Sequence, residues 1–264
     1  MMNLENIVAL SLLNGFPPHR ERQAMAEYLQ CLILQSVARH SVPGKMSFIG
    51  GTSLRFFYNL PRFSEDLDFD NFGLSFNEFK KILDKVILDM KLKGFEIEFR
   101  FVEKRAYNCY IKFPRILQKN KLTPLENEKL LIRIDSMEKE KFAEPTIVTL
   151  NKFELFRNIN VNSSSIILSQ KLIAIRDRKR SKGRDFYDVS FLYGFTSPNF
   201  DFIRDTMGMD RGTFFGDIIK RCETLDFKAL AKDVEPFLIT PDQVARVETF
   251  LEFIKTKIVK GVPI

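Results

Sequence analysis

Apolar residues recur at helical spacing in two long stretches of the N-terminal half of the chain. The first stretch covers about residues 20–39, and the second covers residues 76–93, where Gly94 ends the pattern. Each stretch predicts an amphipathic helix that buries one side against a core. The apolar residues that carry the two patterns are Met25, Tyr28, Leu29, Leu32 and Ile33, then Phe79, Ile82, Leu83, Val86, Ile87 and Met90.

Shorter apolar or alternating segments predict β-strands between and after these helices. They are residues 46–49, 66–70, 96–102, 106–113 and 129–137, with one further short strand at 146–150. From residue 163 onward the pattern becomes helical, and we expect helices over residues 165–180, 184–194, 199–206, 211–221, 226–232 and 241–259. The chain therefore predicts an α+β fold, in which a mixed sheet flanked by helices precedes a helical C-terminal region.

Asn and Ser residues cluster near residues 155–163, between the strand-rich and the helical parts of the chain. We expect a domain boundary there, which gives an α/β domain over 1–160 and a helical domain over 161–264. A chain of 264 residues is long enough for two modest domains with their own cores.

The composition limits the chemistry that this chain can perform. It has 41 Lys and Arg against 34 Asp and Glu, and the net charge of +7 makes a polyanionic partner plausible without establishing one. The two histidines, His19 and His40, lie near the N-terminus without cysteine partners, so neither a zinc site nor a histidine-dependent triad is expected. An enzyme of this composition would depend on carboxylates, lysines and metal ions.

The three cysteines are far apart and show no C-x-x-C spacing, so we expect no disulfide framework, which fits a reducing cytosol. The opening segment has Glu5 before its apolar stretch and no basic region, unlike a signal peptide. No apolar run approaches the roughly 18 to 20 residues that span a bilayer. We therefore expect a soluble, cytoplasmic protein.

The stretch from residue 48 to 70, FIGGTSLRFFYNLPRFSEDLDFD, carries the most specific chemistry. Gly50 and Gly51 stand between a predicted strand and a predicted helix, where paired glycines let an anion approach the N–H groups of the first helical turn. Thr52 and Ser53 add hydroxyl donors suited to phosphate oxygens. Alone, such a turn is common and is weak evidence.

Asp66 and Asp68 alternate with an apolar residue, so in a strand both carboxylates project from the same face. Two like charges held close repel unless a cation neutralises them, and oxygen ligands of this kind suit Mg²⁺ or Mn²⁺. A lone D-x-D is more often a solvated pair on an edge strand. With the glycine turn upstream, the combination matches the nucleotidyltransferase signature, in which G-[GS]-[ST] precedes D-x-[DE].

These residues make the chain resemble a known protein family. The segments GGTSLR and RFSEDLDF resemble the AbiEii/AbiGii toxin family, the MenT-like nucleotidyltransferase toxins of the polymerase-β superfamily. A second block, SQKLIAIRDRKRSKGRDFYDVSFL, is similar to the family's lysine-bearing helix followed by an R-D-x-Y-D segment. The order and spacing of the two blocks match the family's layout across most of the chain.

The resemblance implies a role for each matching residue. Triphosphate binding would fall to Gly50, Gly51, Thr52 and Ser53, and metal binding to Asp66 and Asp68. Lys171 would neutralise phosphate charge, and Asp185 would assist at the nucleotide or at the attacking hydroxyl. Arg178, seven residues after Lys171, would extend a cationic stripe for the phosphates. The helical domain would complete the active-site cleft.

Several of these residues have plainer interpretations. Lys171 stands among apolar residues of its predicted helix and could be a snorkelling lysine. Asp185 could simply favour the start of a helix, and Arg184 and Asp188 could form a surface pair. The aromatic residues of this block are expected in the core rather than against a base; they are Phe186, Tyr187 and Phe191.

Asp135 is the candidate for a third metal-binding carboxylate, because it interrupts an otherwise apolar strand where an unpaired Asp would be costly. A salt bridge to Arg133 is the competing explanation. Arg55 and Arg62 flank the glycine turn and could contact the triphosphate or pair with Glu65.

Ser64 precedes Asp66 by two residues. Phosphorylation there would add about −1.5 to −2 charge beside the metal carboxylates and is expected to silence the site.

The sequence thus predicts transfer of a nucleoside monophosphate from an NTP to an acceptor hydroxyl. By resemblance the acceptor is the 3′ end of an RNA, with tRNA the leading candidate, and the protein would be a toxin restrained by a partner antitoxin. Basic segments at 115–121 and 179–184 could contact phosphates or be solvated loops. A small-molecule or protein acceptor, or a silent nucleotide- or RNA-binding module, are the alternatives.

Overall fold

A computed structural model describes residues 2–259 of the chain, which form two compact units. The first unit comprises residues up to Asn59 together with Ser64–Asn162, and the second comprises Leu60–Phe63 together with residues from Ser163 onward. The four-residue segment Leu60–Phe63 has no counterpart in the sequence-based division at residue 160. Within residues 2–259, none of the helices has the length and apolar character needed to cross a membrane.

The first unit is built on one mixed sheet, as the sequence predicts, but the sheet has seven strands and not the six expected. Its strands are β1 (Met46–Ile49), β2 (Leu67–Asn71), β3 (Glu98–Glu103), β4 (Tyr107–Phe113), β5 (Leu130–Glu138), β6 (Thr146–Lys152) and β7 (Leu155–Val161). Its helices are α1 (Leu4–Leu13), α2 (Glu21–His40), α3 (Gly50–Phe57), α4 (Phe76–Leu92) and α5 (Ile116–Lys119). The strand order is β3-β4-β5-β2-β1-β7-β6.

The pairing of strands places β2 at the centre of the sheet. It runs antiparallel to β1 on one side and parallel to β5 on the other, and β1 also pairs in parallel with β7. The remaining pairs, β3 with β4, β4 with β5 and β6 with β7, are antiparallel. The β1–α3 turn therefore flanks β2 on one side, while β5, β4 and β3 extend away on the other side.

The two faces of this sheet differ in burial, because side chains alternate along each strand. One face is apolar and buried, and we call it the core face; its members include Phe48, Phe69, Cys109, Ile111 and Ile134. Helices α2 and α4 contact the sheet and each other. The opposite face, which we call the polar face, carries half-buried and exposed polar residues, among them Asp68, Asp135, Asn108 and Arg100.

Strand β7 corrects the sequence analysis, which expected a polar boundary over residues 155–163. Ile159 and Val161 are buried, while Asn158 is exposed and Asn160 half-buried, so polar residues alternate with core residues in a strand. A two-residue turn joins β6 to β7, and both its residues have positive φ, 50° at Phe153 and 59° at Glu154. That backbone is typical of the tight turns that join antiparallel strands.

The second unit is helical, with side-chain caps at several helix starts. Its helices are α6 (Ser164–Asp177), α7 (Gly183–Leu192), α8 (Phe200–Met207), α9 (Arg211–Glu223), α10 (Phe227–Val234), α11 (Ala245–Glu248) and α12 (Phe250–Val259), with 3-10 turns at Glu235–Phe237 and Pro241–Val244. Ser163, Asn199, Asp210 and Asp226 accept hydrogen bonds from the first turn of the helix that each precedes. The continuous helix expected over 241–259 is wrong, because it breaks at Thr249, whose hydroxyl donates to the carbonyl of Ala245.

Backbone hydrogen bonds hold the segment Leu60–Phe63 within the second unit. The N–H of Phe63 donates to the carbonyl of Phe237 at 2.7 Å, and the N–H of Ile239 donates to the carbonyl of Pro61 at 3.3 Å. Arg62 forms an antiparallel bridge with Leu238 between them. This segment is therefore paired with the chain that follows the first 3-10 turn.

Candidate active site

Gly50 and the carboxylate of Asp68 lie directly against each other at the β1–α3 turn. Gly50 has a φ of +78°, and a Cβ at this position would collide with Oδ2 of Asp68 and lie 3.0 Å from its Cβ. Ile49, the residue before this turn, pairs with Asp68 across the β1–β2 ladder. Glycine is favoured here, because any other residue would strain the backbone and push the side chain of Asp68 aside.

The hydroxyls of Thr52 and Ser53 make hydrogen bonds within the glycine turn. Thr52 Oγ1 donates to the carbonyl of Asp66 at 2.5 Å, and Ser53 Oγ donates to the carbonyl of Gly50 at 3.3 Å. Both side chains are fully buried. Their contact with phosphate stays a prediction, and the donors best placed for an anion are the N–H groups of the first turn of α3.

Three aspartates alternate along β2 and its approach, so that Asp66, Asp68 and Asp70 share the polar face. Asp70 is buried, and its Oδ2 accepts a hydrogen bond of 2.7 Å from the amide of Asn162. Asp66 keeps 30% of its side chain exposed. Asp68 pairs with Asp135 of β5 in the parallel ladder, so these two carboxylates stand side by side on neighbouring strands.

Arg133 lies between two of these carboxylates. Its Nη2 is 2.7 Å from Oδ2 of Asp66 and 3.0 Å from Oδ2 of Asp135. Burial lowers the pKa of Arg133, but the carboxylates of Asp66, Asp135 and Asp68 outweigh this effect and raise it. The salt bridge between Arg133 and Asp135 was one of two sequence-based interpretations, whereas the contact with Asp66 was missed.

The carboxylates fit a divalent cation by their chemistry. Mg²⁺ is usually held by one or two carboxylates together with waters and substrate phosphates, and Asp66 and Asp68 supply two beside a turn suited to anions. Among residues 2–259, no group of three or more His, Cys, Asp or Glu side chains is arranged to hold a metal ion. Metal binding by Asp66 and Asp68, with Asp135 as a third ligand, stays a prediction.

The second unit holds its own cluster of charges, centred on Lys171 of α6. The Nζ of Lys171 lies 2.9 Å from Asp185 Oδ1 and 2.8 Å from Asp188 Oδ2, both on α7. Arg178, which follows α6, binds the other oxygen of Asp185 at 2.9 Å. Arg62 binds Asp188 through two hydrogen bonds of 2.7 Å. Three cations thus surround two carboxylates.

The burial of this cluster decides between some of the earlier interpretations. Asp188 is fully buried and does not form a surface pair, and Phe186 and Tyr187 are core residues, as expected. Burial raises the pKa of Asp188, but Arg62 and Lys171 outweigh it and lower the pKa. Burial lowers the pKa of Lys171, but Asp188 and Asp185 outweigh it and raise the pKa.

The nucleotide roles of Lys171, Asp185 and Arg178 stay predictions. Lys171 is 15% exposed and ion-paired, so it does not reach into solvent as a snorkelling lysine does. Arg178 is the most accessible of the three cations, with 38% of its side chain exposed. Arg55 is buried and its Nε donates to Glu27 Oε2 at 3.1 Å, so a phosphate would have to compete with that pair.

Comparison with known proteins shows that the chain matches a protein family. The model of the family described as nucleotidyl transferase AbiEii toxin, type IV TA system, matches residues 32–252. The structure is similar to JHP933 from Helicobacter pylori, with a TM-score of 0.56, 18% identity, and coverage of 91% of this chain and 95% of that one.

It is also similar to MenT4, a nucleotidyltransferase toxin from Mycobacterium tuberculosis, with a TM-score of 0.57 and 15% identity. That match covers 97% of this chain and 90% of MenT4. At these identities the two structures show the fold alone. No curated protein matches the chain in a sequence search.

Proposed function

Because the chain belongs to the AbiEii family of nucleotidyl transferase toxins, we propose that it transfers a nucleoside monophosphate from an NTP to a hydroxyl at the 3′ end of an RNA. Nucleotidyl transfer is the family's class of activity. The proposal adds the acceptor, the metal and the residues that act. It also places the protein in the cytoplasm, restrained by a cognate antitoxin.

In this reaction the acceptor oxygen attacks the α-phosphorus of the NTP. A new phosphorus–oxygen bond forms, the bond between the α-phosphorus and the bridging oxygen to the β-phosphate breaks, and pyrophosphate leaves. The proton of the hydroxyl passes to solvent water, since Asp66, Asp68 and Asp135 are the carboxylates assigned to the metal. Asp66 and Asp68 would hold Mg²⁺ or Mn²⁺, which supplies charge neutralisation at the phosphates and lowers the pKa of a bound hydroxyl.

The observation that carries the proposal is the contact between Gly50 and Asp68. The N-terminus of α3, with N–H groups suited to a triphosphate, therefore lies directly beside the carboxylate of Asp68, a group that could bind a metal ion. A nucleotidyl transfer needs these two functions at adjacent positions, because the metal must neutralise the same phosphates that the turn binds. By resemblance to the family, Lys171 and Arg178 of the helical unit are candidates for binding phosphate, and Asp185, which pairs with Lys171, is a candidate for assisting at the nucleotide or the hydroxyl.

An RNA acceptor is supported by the distribution of basic residues. The chain carries a net charge of +7, and the segment 178–184 contains five Lys and Arg residues, of which Lys179, Arg180 and Lys182 are exposed. The other basic segment is less suited, because Arg115 and Lys119 both pair with Glu96. Phosphate contacts from the first segment would make binding strongly salt-dependent.

Incubation of the purified protein with each labelled NTP, Mg²⁺ and total RNA tests the proposal. We expect label in RNA, lost in Asp66→Ala and on chelation of the metal, and kept in Asp84→Ala, which changes an exposed carboxylate of α4. Lys171→Ala should also lose activity, and a melting curve shows whether it still folds. Label found only in protein or in a small molecule would contradict the RNA acceptor. Label that survives Asp66→Ala would overturn the assigned site.

A further inference from the structure

A row of three side chains leads away from the carboxylates across the polar face of the sheet. Arg133 of β5 pairs with Tyr110 of β4, and Tyr110 pairs with Arg100 of β3. Residues that are partners across strands project from the same face, so the three stand in line. We call Arg100, Tyr110 and Arg133 the Arg-Tyr-Arg row.

The chemistry of this row suits a nucleotide. The guanidinium carbon of Arg100 lies 5.0 Å from the ring centroid of Tyr110, a cation–π distance. Arg100 is exposed and Tyr110 is half-buried. Two further residues of β4 project from the same face on either side of Tyr110. They are Asn108, which pairs with Asp135 of β5, and Lys112, which is exposed. Flat aromatic and guanidinium groups with nearby amide and cationic donors are typical of surfaces that bind single-stranded RNA.

The order of the strands assigns the row to one of the two substrates. The glycine turn follows β1 and contacts Asp68 of β2, so the triphosphate belongs on the β1 side of the carboxylates. The Arg-Tyr-Arg row lies on β5, β4 and β3, which extend from the opposite side of β2. An in-line attack needs the acceptor opposite the leaving pyrophosphate. The row is therefore on the acceptor's side.

We propose that the Arg-Tyr-Arg row is the acceptor platform of the enzyme. The 3′-terminal base of a single-stranded RNA stacks on Tyr110 and Arg100, and Lys112 contacts the preceding phosphate. Arg133, held by Asp66 and Asp135, fixes the inner end of the row next to the reacting hydroxyl. This inference rests on the proposed RNA acceptor, and it adds the residues that recognise it.

Two measurements test the platform, one of them independent of catalysis. The first is the fluorescence of a short single-stranded RNA with 2-aminopurine as its terminal base, which stacking quenches. The second is transfer kinetics with RNA and NTP varied separately. Tyr110→Ala is expected to abolish the quenching and to raise the KM for RNA at least about fivefold, with the KM for NTP unchanged, because one stacked base contributes that much to binding. Arg100→Ala should act in the same direction.

The matched variants separate stacking from folding. Tyr110→Phe keeps the ring and is expected to keep both the quenching and the KM. Phe156→Ala removes a 72% exposed aromatic from the same face of β7, beyond β1, and should change neither. The inference is overturned if Tyr110→Ala leaves the RNA KM unchanged in an enzyme that labels RNA, a result that leaves the proposed function intact. It is also overturned if the unchanged protein does not quench the probe.

Discussion

Arg62 and Asp188 are 126 positions apart in the sequence and form a bidentate ion pair in the helical unit. Nε and Nη2 of Arg62 each donate a hydrogen bond of 2.7 Å to a different oxygen of Asp188. The two side chains are 2% and 0% exposed, and Lys171 binds the same carboxylate at 2.8 Å. Removing Asp188 would therefore leave the buried guanidinium of Arg62 without its counter-charge, whereas removing Arg62 would leave Asp188 paired with Lys171 alone.

Asp188→Leu is expected to lower the free energy of unfolding by about 3–5 kcal/mol, because it leaves the buried Arg62 charge uncompensated. Arg62→Met should lower it by less, because Lys171 still pairs with Asp188. The double variant should lose much less than the sum of the two, since the buried charges are removed together. Urea denaturation measures all three. Arg204→Ala serves as control, because its pair with Asp201 is exposed and should contribute less than about 1 kcal/mol.

The same pair predicts a pH dependence of stability. The pKa of Asp188 is lowered below its ordinary value of 3.8 by Arg62 and Lys171, so the folded state releases this proton more readily than the unfolded state. The stabilisation is complete above about pH 3.8 and is lost as the pH falls through the folded pKa. Comparing urea unfolding of the wild type and the double variant at about pH 7 and about pH 3 checks this. A free energy of unfolding of the wild type that rises relative to that of the double variant towards acid pH would contradict this prediction.

Gly50→Ala is expected to lower the rate of transfer about a hundredfold, because the added Cβ would displace the carboxylate of Asp68, the proposed metal ligand. Gly73→Ala is the matched control. Gly73 has a similar φ of +85°, so alanine at either position would strain the backbone by about 1–2 kcal/mol. At Gly73, however, a Cβ would meet no described atom within 4 Å apart from its chain neighbours. Single-turnover kinetics should separate the two, and an equal loss in both would show that strain alone matters.

Gly183→Ala is expected to destabilise the helical unit by about 1–3 kcal/mol. A Cβ at Gly183 would collide with the carbonyl oxygen of Leu230 and lie 3.0 Å from its carbon, so α7 and α10 would have to move apart. Gly216→Ala, inside α9, meets no described atom within 4 Å outside its own helix backbone and should stabilise by about 0.5–1 kcal/mol. Thermal melting of the two variants checks the opposite signs.

Ser64→Glu is expected to suppress nucleotidyl transfer, whereas Ser64→Gln and Ser64→Ala keep it. The backbone at this point is fixed, because the amide of Gln30 donates to the carbonyls of Ser64 and Glu65 at 2.9 and 2.8 Å. A negative charge on Ser64, two residues before Asp66, would therefore stay near the proposed metal ligands Asp66 and Asp68 and repel the triphosphate. An active Ser64→Glu enzyme with unchanged metal affinity would rule out this mode of control.

Local sequence patterns were sufficient to predict the structure where the residues concerned are close together in the chain. The alternation around Asp66 and Asp68 predicted a shared face, and the glycine pair after the first strand predicted a tight turn into a helix. The mixed sheet and the helical C-terminal region followed from the same periodicities. In these cases, the backbone geometry of the element itself decides where the side chains go.

Other contacts depend on the pairing of distant segments and left no local signal. Arg133 reaches Asp66 because β5 pairs in parallel with β2, a register that neither strand specifies alone. The Arg-Tyr-Arg row was missed for the same reason, although polar residues alternate along β4. The buried hydroxyls of Thr52 and Ser53 show a further limit, since sequence gives a donor's chemistry but not its direction.

The segment Leu60–Phe63 has a consequence for how this gene can be divided. The chain passes between its two units after Asn59, after Phe63 and after Asn162, so no single cut separates them. A fragment that stops at Asn162 would keep the guanidinium of Arg62 and lose the acid that neutralises it. The helical unit expressed alone would lack the strand partner of residues 237–239. A chimera joined at residue 160 is therefore expected to misfold, because its N-terminal half carries a segment that belongs to the helical unit.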